Sequence, residues 1–168
     1  MISIRIKNKK AFMSKLLASE LFDLFQVEEA EVTTFNTFHI DGRIHKDFYK
    51  DVPAGADSAD AMPGEYSTWK DLKPICYELI KGKRTPLSFK FVFYLNEEAK
   101  SRLIKEADAG IDDSQVRLGL NIRFINSDVI LTTGCAISIF TLDKSIEKAW
   151  DNYIPSFLDN NSIDNEIL

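Results

Sequence analysis

Cysteine, histidine, proline and glycine are all scarce in this chain. Its 168 residues include two cysteines, two histidines, five prolines and seven glycines. Cys76 and Cys135 stand far apart and form no CxxC, which excludes a disulfide framework and a paired-thiolate zinc site. Both fall on apolar faces and read as small core residues, as suits a reducing compartment. There is no HxH, HExxH, GxSxG, P-loop or GxGxxG, and GLNIRF and TTGCA hold isolated glycines only. No cofactor, metal or catalytic residue is therefore expected. No apolar run is long enough to span a bilayer, and the opening MISIRIKNKK lacks the apolar stretch of a signal peptide. A cytoplasmic protein without membrane contact is the expectation. A surplus of cations is also missing. The net charge of −5 argues against broad binding to nucleic acid, while leaving room for a local basic patch.

Apolar residues make up 45% of the chain, with twelve phenylalanines among them. That is a globular composition with an aromatic-rich core. A chain of this length buries roughly 70% of its unfolded surface. One domain is expected over residues 1–158. Residues 50–65, rich in Ala, Asp, Pro and Gly, read as a mobile loop within it. Residues 159–168 read as a polar tail that frays.

The strongest pattern is QVRLGLNIRFINSDVILTTGCAISIF, residues 115–140. One parity is apolar: Val116, Leu118, Leu120, Ile122 and Phe124, then Val129, Leu131, Cys135 and Ile137. Such alternation marks strands with one buried face. A two-residue turn at Asn126-Ser127 pairs Phe124 with Val129, Ile122 with Leu131, Leu118 with Cys135 and Val116 with Ile137. Both apolar rows then meet on one side, so pattern and turn agree on the register.

In chain order, Ile2, Ile4 and Ile6 give a first strand. Asn8 caps a helix over residues 9–19, with Phe12, Leu16 and Leu17 inward. A strand from about Glu28 to Ile40 leads to a turn at Asp41-Gly42 and a strand from Arg43 to Tyr49. Ser67 caps a helix to Lys81, with Trp69, Leu72, Ile75, Cys76, Leu79 and Ile80 as its apolar stripe. Leu87, Phe89, Phe91, Phe93 and Leu95 form the cleanest alternating strand. Asn96 caps a helix to about Ala109. After the central hairpin, Thr141 or Asp143 caps a last helix, with Ile146, Ala149, Trp150, Tyr153 and Ile154 inward, which Pro155 breaks or bends. Phe89, Phe91, Leu120, Ile122, Leu131 and Trp150 are expected in one core.

The order β-α-β-β-α-β-α-β-β-α predicts an α+β fold: a largely antiparallel sheet with helices packed against it. It fits either a ferredoxin-like start or a duplicated β-α-β-β-α unit. The stretches TTFNTFHIDGRIHKDFY, LKPICYELIKGKRTPLSFK and TTGCAISIFTLDKSIEKAW resemble an uncharacterised family of short bacterial proteins, found mainly in anaerobic Firmicutes, a domain of unknown function. The resemblance implies a bacterial cytoplasmic protein. It carries no activity and no site residues.

Two surfaces could hold chemistry. The first is HIDGRIHKD, residues 39–47. A two-residue loop at Asp41-Gly42 would put His39 and His45 on opposite faces. A three-residue loop, with Gly42 at positive φ, would gather His39, Arg43, His45 and Asp47 on one face. The second reading groups the apolar residues better and is preferred. Two histidines and a carboxylate still fall short of a tetrahedral metal set. The second surface is the polar face of the central hairpin. There Gly119 stands opposite Gly134 and Asn121 opposite Thr132, with Arg117 and Arg123 flanking a shallow depression that could admit a ring or an anion. The cations of KGKRTP, residues 81–86, complement a helix C-terminus.

The leading expectation is a non-enzymatic domain that works by self-association, most simply as a two-fold dimer, or by binding a protein partner. Phe22, Phe25, Phe35, Val92, Tyr94 and Phe157 lie outside the inward stripes and could form an exposed patch. The competing expectation is a small ligand-binding or metal-dependent domain using the His39–Asp47 hairpin or the Arg117/Arg123 face.

Overall fold

The computed structural model describes residues 1–50 and 64–168. Most of the expected mobile loop, residues 51–63, lies outside the described residues. Among the described residues, eight strands and four α-helices follow one another: β1 Ser3–Ile6, α1 Lys9–Ala18, β2 Phe25–Thr33, β3 Thr37–Asp41, β4 Ser67–Thr68, α2 Trp69–Ile80, β5 Ser88–Leu95, α3 Glu97–Ala107, β6 Val116–Ile125, β7 Asp128–Ile137, α4 Ser145–Asn160 and β8 Asn165–Ile167. All strand pairs are antiparallel, in the order β3-β2-β5-β6-β7-β1-β8, with β4 beside β2. The fold is α+β.

Alternation decides which face is covered. The inward parity of β5 is Phe89, Phe91, Phe93 and Leu95, all buried. It joins Ile4, Phe12, Leu16, Trp69, Leu103, Ile122 and Trp150 in one apolar cluster. The indoles satisfy their N–H groups inside it. Trp69 Nε1 donates to the Leu16 carbonyl at 2.8 Å, and Trp150 Nε1 donates to the Gly119 carbonyl at 2.9 Å. The opposite parity of the sheet stays half-buried or exposed.

The central hairpin has the expected register, from Val116 with Ile137 to Phe124 with Val129. Its turn residues Asn126 and Ser127 sit at φ 51° and 65°, the left-handed pair that a two-residue hairpin requires. Asn8 and Asn96 cap α1 and α3 by accepting from the N–H three residues on. Thr68 caps α2, where Ser67 was expected and instead pairs in β4 with Val27.

Several expectations are corrected. The stretch from Glu28 to Ile40 is a hairpin and not one strand. Its turn is Thr34-Phe35-Asn36, with Val32 opposite Phe38 and Thr33 opposite Thr37. Arg43–Tyr49 is therefore not a strand. Arg43 forms a lone bridge with Tyr66, and Lys46–Tyr49 is a single 3-10 turn. Gly42 is not at positive φ. It is buried against β2, where a Cβ would overlap the Val27 carbonyl. Pro155 does not end α4, which continues to Asn160 because Trp150, Ile154 and Leu158 bury the same face on both sides of it. The tail is not frayed: Ile163 is buried and β8 pairs with β1. Ile75 and Leu87 are exposed. The ferredoxin-like description does not hold, since β1 lies between β7 and β8 and has no parallel neighbour, whereas the order β-α-β-β-α does occur twice, apart from the short β4 and the added β8.

Phe22 and Phe25 are fully buried, and Phe157 packs edge-on against both. They leave the expected apolar patch, of which Phe35 alone is strongly exposed. Among the described residues, no helix is long and apolar enough to cross a membrane.

Candidate functional site

The two candidate surfaces of the sequence break apart and recombine in the structure. His39 lies on the open sheet face opposite Glu31, with its Nδ1 3.7 Å from Glu29 Oε1. His45 is exposed at the start of the 3-10 turn, and Asp47 pairs with Lys50. Arg43 turns towards the Tyr66 ring, with its guanidinium carbon 5.8 Å from the centroid. The expected face of His39, Arg43 and His45 does not form, because the hairpin turn falls seven residues earlier than Asp41-Gly42. Glu29, Glu31 and His39 bring ligand atoms within 4.8 Å of one another. Glu29 is already taken by Lys90 Nζ at 2.9 Å, so that cluster reads as a solvated ion-pair network.

Arg117 and Arg123 are six residues apart on β6, roughly 20 Å at strand rise, too far to share one small ligand. Arg123 is exposed opposite Lys90, and Asn121 is half-buried between Val92 and Thr132. The glycine depression is occupied at one side by the protein itself. The Tyr94 ring lies in contact range of a Cβ built at Gly119, while a Cβ at Gly134 meets nothing within 4 Å.

Arg117 does form part of a constructed site. Its guanidinium carbon stands 5.0 Å from the Tyr94 ring centroid and 5.6 Å from that of Tyr66, and the two rings meet edge-on at 5.3 Å. Arg43 approaches Tyr66 as well, so one arginine from each candidate surface converges on this tyrosine. A bulge in β2 between Val27 and Glu29 releases Glu28, whose carboxylate accepts from the Tyr94 hydroxyl. Burial first, then this hydrogen bond to an anion, pushes the Tyr94 phenol up to about 12. The Tyr66 hydroxyl is buried and has no hydrogen-bond partner among the described residues, although the Arg43 guanidinium lies over its ring.

Beside this cluster opens a cavity of about 630 Å³ at the end of β5, β6 and β7. Tyr66, Tyr94, Arg117, Lys100, Gln115 and Ser138 line it. Lys100 is the unusual member. Its side chain is 7% exposed, while its partner Glu97, 2.8 Å away, is 71% exposed. Arg117 likewise holds an exposed partner, Glu65, at 3.3 Å. Sequence reasoning missed Lys100 because an i,i+3 Glu–Lys pair on a helix looks like solvated surface. It missed Tyr66 because nothing local separates that residue from the polar stretch before it.

A family described as "Family of unknown function (DUF5721)" matches residues 15–166 of the chain. No curated protein and no solved structure matches it.

Proposed function

The chain belongs to the DUF5721 family, whose function is unknown, and from that premise we propose a non-enzymatic binding domain. Its ligand is a small molecule bearing a carboxylate or phosphate, held in the cavity between Tyr66, Arg117 and Lys100. The observation that carries this reading is the buried Lys100 ammonium in the cavity lining. A buried cation is costly unless it is paired. Here the pairing acid, Glu97, sits mostly in water, so a ligand oxyanion can replace it without leaving a buried carboxylate behind. Arg117 is arranged to the same end. Its approach to two tyrosine rings holds the guanidinium in place and leaves N–H groups for an oxyanion. Glu65 occupies that edge and acts as an internal stand-in for the ligand. The volume lies within the range of small-molecule sites.

Thermal melts with a panel of small carboxylates and phosphates, matched against sodium chloride at equal ionic strength, test the reading. At saturation a binder should raise Tm by several degrees, roughly 2.7 kcal/mol of stabilisation at 100-fold excess over Kd. The shift should persist in Glu65→Gln, which removes the competing carboxylate, and vanish in Arg117→Gln and Lys100→Met. A shift that survives both cation variants, or no shift with any anion, removes the proposal.

Self-association is a second reading, supported by exposed apolar side chains away from the cavity lining: Phe35 at 86%, Phe140 at 91% and Leu142 at 85%.

A further inference from the structure

A second concavity, of about 670 Å³, opens at the other end of the sheet, beside the Asn126–Ser127 turn. Its chemistry differs from that of the first. Met13, Leu17, Ile80 and Phe124 form an apolar lining; all four pack on the core and remain only partly covered. Lys9, Lys10 and Arg84 line it too, and among the described residues no carboxylate does. Lys9 is engaged, since its ammonium donates to the Ser127 carbonyl and pairs with Asp128 at 3.3 Å. Lys10 and Arg84 take part in no ion pair among the described residues.

The cations are not explained by their own helix. Lys9 and Lys10 occupy the first turn of α1, which contains no acid. That is the positive end of the helix dipole, where cations are disfavoured. A charge placed against its local preference and beside an uncovered apolar floor requires a compensating gain. An amphiphilic anion supplies it: the tail covers the floor, and the head neutralises Lys10 and Arg84.

We infer that this concavity binds a free long-chain carboxylate, with its tail over Met13, Leu17, Ile80 and Phe124 and its head between Lys10 and Arg84. The inference is independent of the anion cavity at Tyr66, which lies at the opposite end of β6. It also gives Arg84, one of the cations of KGKRTP, a role beyond complementing a helix end.

Calorimetric titration with sodium dodecanoate below its micelle concentration tests this. One dodecanoate should bind per chain, whereas acetate, which has the head alone, and dodecyltrimethylammonium, which has the tail with the opposite charge, should not. The double variant Lys10→Glu/Arg84→Glu changes two exposed side chains and leaves the core intact. It should weaken dodecanoate binding about tenfold, as expected for two exposed charge contacts. Leu17→Trp should fill the floor and abolish it. Equal binding of the cationic amphiphile, or unchanged affinity in the double variant, overturns the inference. So does co-flotation with anionic phosphatidylglycerol vesicles that Leu17→Trp leaves intact while dodecanoate fails to bind, because the cations would then serve a membrane surface.

Discussion

Gly42 shows how one residue can be required for a reason that its neighbours conceal. Asp41-Gly42 has the composition of a hairpin turn, and that reading assigns the glycine a positive φ. In the fold Gly42 instead crosses β2 at its bulge. It donates to the Glu28 carbonyl and accepts from the Ser67 N–H. The space that a Cβ would need is filled by the Val27 backbone. Gly42→Ala should therefore destabilise the protein by about 3 kcal/mol, because backbone cannot yield as a side chain can. Asp41→Asn should change stability by less than about 0.5 kcal/mol, since an amide oxygen can still accept from the Arg43 N–H as the carboxylate does. Denaturant melts of both variants decide between them. Equal stability of Gly42→Ala and wild type would rule out the close approach. The site residues follow the same logic. Arg117 was legible as an arginine on a polar strand face. The tyrosines that orient it come from distant segments, and no local pattern reports their arrival.

At the level of elements, the two hairpins differ in how visible their turns are. The Asn126–Ser127 loop has two residues, so the apolar parity slips by one across it, and that slip marks the turn. The Thr34–Asn36 loop has three. Val32 and Phe38 keep the same parity, so no change of phase marks the turn. An unchanged phase is compatible with one long strand, and the placement of His39, Arg43 and His45 depends on where that strand turns. The visible turn also carries a cost. Ser127 holds φ 65° without being glycine. Ser127→Gly should stabilise the protein by about 0.5–1 kcal/mol by relieving the left-handed penalty. A thermal melt that shows no gain would mean that other contacts of Ser127 offset it. The helices show the converse case. Pro74 and Pro155 both lie inside helices. An interior proline costs about 3 kcal/mol, and the buried faces around Trp69, Cys76, Trp150 and Leu158 outweigh that cost.

At the scale of the whole molecule, an antiparallel sheet with one covered face leaves its other face to solvent and its edges at β3 and β8 unpaired among the described residues. With Phe22, Phe25 and Phe157 in the core, the case for association rests on Phe35, Phe140 and Leu142. Sedimentation equilibrium at micromolar concentration should show a dimer if that second reading is right. A monomer mass across the whole range would remove it and leave the anion cavity standing. What the sequence determined by itself was local: the period-two rows, the register of the central hairpin, the asparagine caps of α1 and α3, and the inward stripes apart from Ile75 and Leu87. Each depends on residues a few positions apart, where side-chain alternation and turn chemistry act directly. Only the tertiary structure decided that β1 pairs with β7 and β8, that Arg43 and Arg117 meet on Tyr66, and that Lys100 is buried beside an exposed Glu97. Those outcomes depend on packing between segments dozens of residues apart, and a local pattern compatible with several such packings cannot select among them.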